Sequence, residues 1–194
     1  MIGRLPEHIE IDGYEYPIRS DYRNVLDVLI MFSDPELTPE DKWFTAVFML
    51  LEEFQDAQEL MQAVCDGFDI EQAAEGIRWF IMRGNKAPDE SKNQKPLYDW
   101  EQDEQMIFAA VNNVSKMEVR EVDYMHWWTF LAYFDEIGEG IFSFVVGIRK
   151  KQRSSKKLEK HEQQFYRENK ELVDIHRKLS KEEQQFADYI GELL

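Results

Sequence analysis

The 194-residue chain is expected to be mainly α: a helical bundle-like body with a short N-terminal β-hairpin and a charged helical C-terminal arm. Three observations predict this. Large apolar side chains recur at helical spacing from Val25 to Ile148. Strand-like alternation is confined to the region before Ser20. Finally, Leu158, Phe165, Leu172, Leu179, Phe186 and Leu193 repeat every seven residues through a stretch otherwise rich in Lys, Arg, Glu and Gln. The expected division is a hairpin over residues 1–19, a body over 20–150 with an exposed loop at 84–96, and an arm over 151–194.

In the hairpin, Ile9 and Ile11 alternate with acids, Asp12-Gly13 supplies the turn, and Tyr14, Tyr16 and Ile18 alternate again. Two short strands are unstable alone in water, so one face is expected to pack on the helices that follow. Ser20 or Asp21 can cap a first helix carrying Val25, Leu29 and Phe32, ended by Asp34-Pro35. Thr38-Pro39-Glu40-Asp41 starts a second, with a capping hydroxyl, proline at the first position and acids in the first turn. Its face is Trp43, Val47, Leu50, Leu51 and Phe54. A short third helix carries Leu60, Met61, Val64 and Cys65, the last expected to face the core. Asp69 with Gln72 caps a fourth bearing Ile70, Ala73, Ile77 and Ile81, and Gly84-Asn85 stops it.

Beyond the polar loop, Asp99 and Gln102 can cap a fifth helix with Trp100, Ile107, Val111 and Val114 inward. A sixth is expected over residues 122–137, holding Tyr124, Trp127, Trp128, Phe130, Tyr133 and Phe134, the largest apolar cluster of the chain. Gly138 and Gly140 break it, and Ile141–Ile148 reads as an apolar, buried helix. In the arm, a Ser180-Lys181-Glu182-Glu183 capping box favours two helices bending near Ser180. One large apolar residue per two turns is a stripe too thin for a core, so the arm is expected to lie on its own body or on a partner.

The net charge is −16 and unevenly placed: residues 148–194 hold 12 Lys and Arg against 9 Asp and Glu, a balance of +3, which leaves −19 on residues 1–147. Such acidity disfavours general binding to nucleic acid or an anionic membrane. The longest apolar run, Ile141–Ile148, is far shorter than the ~20 residues of a bilayer span, and a cytosolic protein is expected. The single Cys65 excludes a disulfide within one chain.

No phosphate-binding glycine loop, nucleophile elbow or cysteine pair for zinc is present. Acids such as Glu52, Glu53, Asp103 and Glu104 read mostly as solvated helix faces. His126 follows Asp123 by three residues, which on a helix would supply half of a di-iron carboxylate site. No second such pair exists, and a satisfied core histidine is the favoured reading. The basic run from Arg149 to Lys160 suits either phosphate contact or a solvated helix end whose cations complement the dipole; without interleaved aromatics the latter is favoured. Contact with the acidic body is a third option. No catalytic, cofactor or metal residues are assigned.

Three stretches together resemble a known family. They are Tyr16-Pro17-Ile18-Arg19-Ser20-Asp21-Tyr22-Arg23; Leu97-Tyr98-Asp99-Trp100-Glu101-Gln102-Asp103 leading into Ile107-Phe108-Ala109-Ala110; and His126-Trp127-Trp128-Thr129-Phe130 followed by Phe142-Ser143 and Gly147-Ile148-Arg149. They resemble the gene-product-fifteen family of long-tailed phages and prophages of Gram-positive bacteria, over residues 14 to about 175. The resemblance implies a gene between those of the major tail protein and the tape measure protein, where tail assembly chaperones are encoded. It implies a protein of the bacterial host cytoplasm that binds the tape measure protein, with the major tail protein and a second copy as further candidate partners. It defines no catalytic residues. On the residues themselves, the surfaces that could meet a client are Tyr124, Trp127 and Trp128, or the heptad stripe of Leu158, Phe165, Leu172, Leu179 and Phe186. The alternatives carried beside this role are a regulatory or nucleic-acid-associated protein acting through 149–160, and a metal-dependent helical enzyme using Asp123 and His126.

Overall fold

Asp12 and Gly13 take φ of 51° and 79°, the left-handed conformation that a two-residue hairpin turn demands and that Asp and Gly tolerate. They join β1 (His8–Ile11) to β2 (Tyr14–Pro17), paired antiparallel with Ile11 opposite Tyr14 and Ile9 opposite Tyr16. The computed structural model describes residues 2–85, 96–176, 178, 180 and 181. The chain is mainly α, as expected, and its residues group into two compact units.

The first unit takes Met1–Pro88, Tyr124–Trp128 and Lys178–Leu194. It joins the hairpin to α1 (Tyr22–Met31), α2 (Pro39–Leu50), α3 (Ala57–Cys65) and α4 (Ile70–Ile81). Ile9 and Ile11 turn inward onto α4, so the hairpin is part of this core and not a separate segment. The approach is close: a Cβ on Gly76 would lie 2.9 Å from Ile9 Cδ1. Each helix begins where local chemistry places it. Asp21, Asp56 and Asp69 accept from backbone N–H groups of their first turns, and Thr38 with Asp41 forms the full capping box.

The end of α2 is held by a side chain. Arg19 donates to the carbonyls of Phe48 and Met49, both at 3.1 Å, and to those of Leu51 and Phe54, placing a cation where the helix dipole is negative. Leu51 leaves the helix to bridge Ile18. Cys65 is exposed, contrary to the sequence expectation, because α3 buries only Leu60.

The second unit takes Asp89–Asp123 and Thr129–Arg177. It contains α5 (Glu104–Ser115), a 3₁₀ turn (Val119–Glu121), α7 (Ile141–Arg153), α8 (Lys160–Glu168) and α9 (Lys170–Val173). Helix α6 (Trp127–Asp135) begins in the first unit and ends in the second.

Two expectations are corrected. The sixth helix starts at Trp127, not near Val122, because the preceding backbone is extended: Tyr22 N–H donates to Met125 O, Trp127 N–H donates to Ser20 O, and Asp21 Oδ2 accepts from Met125 N–H at 3.0 Å. Helix α7 continues through the basic run to Arg153, and it is amphipathic, with Phe142, Val145, Ile148 and Arg149 buried and Ile141 exposed. The arm breaks at Asn169, which leaves helical geometry and donates through Nδ2 to Phe165 O. The expected bend near Ser180 and the helix after it fall largely outside the described residues.

Glu118 pins the corner after α5. Its carboxylate accepts from Arg120 Nε at 2.7 Å and from Asn112 Nδ2 at 2.8 Å. The Arg120 guanidinium, then the Asn112 amide, hold the carboxyl down at about 2. Because the folded value lies below the ordinary 4.5, this contribution is complete above that value and is lost as pH falls through about 2. A carboxyl-carbon NMR titration should give Glu118 a midpoint near 2, and a midpoint near 4.5 would break the assignment.

Candidate interaction surfaces

Aromatic side chains from α4 and from Tyr124–Trp128 meet in the first unit. Trp127 is a core residue, 2% exposed, with its indole N–H donating to Ile81 O at 2.9 Å. As a contact residue for a partner it is thereby corrected: it has no free face. Trp128 is half-buried, donates to Phe80 O at 2.8 Å, and lies against Trp79 with ring centroids 5.5 Å apart. Trp79 keeps 39% of its surface in solvent. Gly84, at φ 74°, passes so close that a Cβ there would lie 3.2 Å from Trp79 Nε1. Tyr124 is exposed and exchanges a hydrogen bond of 2.8 Å with Ser20 through its hydroxyl. Within this cluster the solvent-accessible aromatic rings are thus those of Trp79, Trp128 and Tyr124. Trp79 was missed because it sits two positions from both Ile77 and Ile81, on the side of α4 away from the expected stripe.

His126 is the residue that sets this segment. Its Nδ1 accepts from Trp128 N–H at 3.0 Å, capping α6, so Nε2 carries the proton and donates to Pro6 O at 2.9 Å. Both ring nitrogens are used within the fold. Asp123 is exposed and outside any helix, so the helical face that would join it to His126 for a metal does not exist. Among the described residues, no cluster of His, Cys, Asp and Glu is arranged to hold a metal ion.

The second unit places the stripe and the basic run. Leu158, Phe165 and Leu172 are half-buried, and Phe165 packs edge-to-face on Phe144 of α7 at 5.0 Å. These three lie on the chain's own body. Leu179 and Phe186 lie outside the described residues. Arg149 is no solvated cation: it is 5% exposed and spends all five N–H donors on Asp103 (Oδ2 at 2.5 Å, Oδ1 at 3.0 Å) and the carbonyls of Leu97, Leu172 and Val173. Asp103, expected on a solvated face, is buried as its partner. Lys151 is committed too, with Nζ 2.6 Å from the buried Glu162. Lys150, Arg153, Lys156, Lys157 and Lys160 are exposed to solvent. Gly147, Lys150, Lys151, Arg153, Ser154 and Lys156 line an open groove of about 570 Å³.

Fold and surfaces describe a mainly α, strongly acidic protein whose exposed chemistry is an aromatic pair on one unit and a cationic groove on the other. Residues 1–175 match the family model described as Bacteriophage Gp15 protein, and the chain belongs to that family. It is a phage protein. No curated protein and no solved structure matches the chain. Among the described residues, no helix is long and apolar enough to cross a membrane.

Proposed function

We propose that this protein is a tail assembly chaperone that binds the tape measure protein during tail morphogenesis, in the host cytoplasm and without cofactor or chemistry of its own. Membership of the Bacteriophage Gp15 family supplies the phage context. The observation that carries the reading is the Trp79–Trp128 pair, with Trp79 exposed and Trp128 half-buried, on a chain of net charge −16. A long helical client presents apolar stripes, and indole faces bury such stripes at little cost in conformational entropy. A small aromatic surface holds them weakly enough for later displacement by tail-tube subunits. The acidic exterior keeps the complex dispersed.

Co-expression with the tape measure protein of the same phage, affinity capture and light scattering on the eluate test this. A stoichiometric complex that stays in solution is expected. An aggregated tape measure beside a freely eluting chain would overturn the reading and move the assignment to the major tail protein or another tail component.

A further inference from the structure

The groove at the end of α7 has features that the client-binding reading does not use. Its exposed lining is mostly carbon, and the cations Lys150, Lys151, Arg153 and Lys156 stand around it. Among the described residues, a Cβ built on Gly147 meets nothing within 4 Å. Glycine in a helix interior is destabilising relative to alanine, and no described neighbour needs the missing side chain there. The helix closes through Ser155 at φ 54°, with Lys156 N–H donating to Lys151 O at 2.8 Å, which fixes Lys156 beside the groove. A mostly carbon lining among cations suits an acidic amphipathic peptide better than a phosphate backbone. No aromatic side chain lines it for base stacking.

The sequence itself carries such a peptide. Residues 182–194 hold four carboxylates, Glu182, Glu183, Asp188 and Glu192, and no Lys or Arg. Phe186, Ile190 and Leu193 recur there at helical spacing. Lys181, just before them, donates its N–H to Glu36 Oε1 at 2.6 Å, in a different unit from the groove. We propose that the groove of Gly147, Lys150, Arg153 and Lys156 receives the acidic segment 182–194 of a second copy of this chain. Such a contact joins unlike surfaces, so it either closes as a reciprocal pair or runs head to tail as chains or rings of copies. Chains of copies are what coating an extended client requires. The contact nevertheless stands or falls without that client.

The test uses the full-length protein and a fluorescein-labelled peptide of residues 182–194, read by anisotropy, with light scattering on the protein alone. The peptide is expected to bind, and average mass to rise with protein concentration. Both effects should fade in about 0.5 M salt, where the screening length is ~4 Å. Lys150→Glu with Lys156→Glu should weaken binding about tenfold or more by placing like charges on the carboxylates. Gly147→Leu, which adds apolar bulk at the groove, should weaken it with the charge intact, and Lys150→Arg should keep it; circular dichroism reports whether each variant is folded. The proposal is overturned if a scrambled peptide binds equally, if the charge reversal changes nothing, or if the protein stays monomeric at every concentration. Preferential binding of a single-stranded oligonucleotide, lost on the same charge reversal, would overturn it in favour of a nucleic-acid site.

Discussion

Arg149→Met is expected to destabilise the second unit by about 3–5 kcal/mol, the usual cost of breaking a buried ion pair from one side. The loss is so large because of what stays behind. Asp103 is left without its cation and with 0% of its side chain in solvent, and the carbonyls of Leu97, Leu172 and Val173 lose their donor together. One guanidinium thereby ties the segment before α5 and the α9 turn to α7. Arg149→Lys should fall almost as far, since an ammonium cannot reproduce five donors in a planar fork. Adding Asp103→Leu to Arg149→Met should restore most of the stability by removing the stranded carboxyl group. Trp100 is the tryptophan of this unit, so urea unfolding followed by 5-fluorotryptophan NMR reads it separately from Trp43, Trp79, Trp127 and Trp128. A loss below about 1 kcal/mol for Arg149→Met would mean the pair behaves like an exposed one.

Trp127→Ala should cost about 3–5 kcal/mol in the first unit, where the indole is fully enclosed and the truncation leaves a large cavity. Trp127→Phe separates the two parts of that cost: it keeps most of the volume but leaves Ile81 O without its donor, for about 1–3 kcal/mol. Trp79→Ala, on the adjoining exposed ring, should stay within about 1 kcal/mol. Thermal unfolding of the three variants gives the order directly. Equal losses for Trp79→Ala and Trp127→Ala would contradict the division of this cluster into a core ring and a surface ring.

What could be read from the sequence was what local chemistry decides. The Asp12-Gly13 turn, the Thr38–Asp41 box and the Asp69–Gln72 cap each act within four residues, and each stands where the residues predict. Long-range pairings were not legible. Arg149 lies 46 residues from Asp103, and His126 lies 120 from Pro6, so neither partner is suggested by the sequence around it. One signal was available for Arg149: it continues the buried stripe of Phe142, Val145 and Ile148 on α7 and sits four residues after Val145. The start of α6 was misplaced for a related reason. Residues Met125 and Trp127 have good helical neighbours, but their backbone groups are claimed by Tyr22 and Ser20, and tertiary pairing overrides propensity. On the surface, the aromatic cluster was found as a cluster, while the choice of exposed ring depended on α4, which contributes Trp79 and covers Trp127.

Hydrogen exchange on the protein with and without the co-purified tape measure protein tests the central claim most directly, because it locates the client as well as detecting it. The account predicts slowed exchange at the end of α4 around Trp79 and at Tyr124–Trp128, with α3 and the Glu118 corner unchanged. Unchanged exchange at Trp79 and Trp128 in a genuine complex would contradict the aromatic surface as the client site.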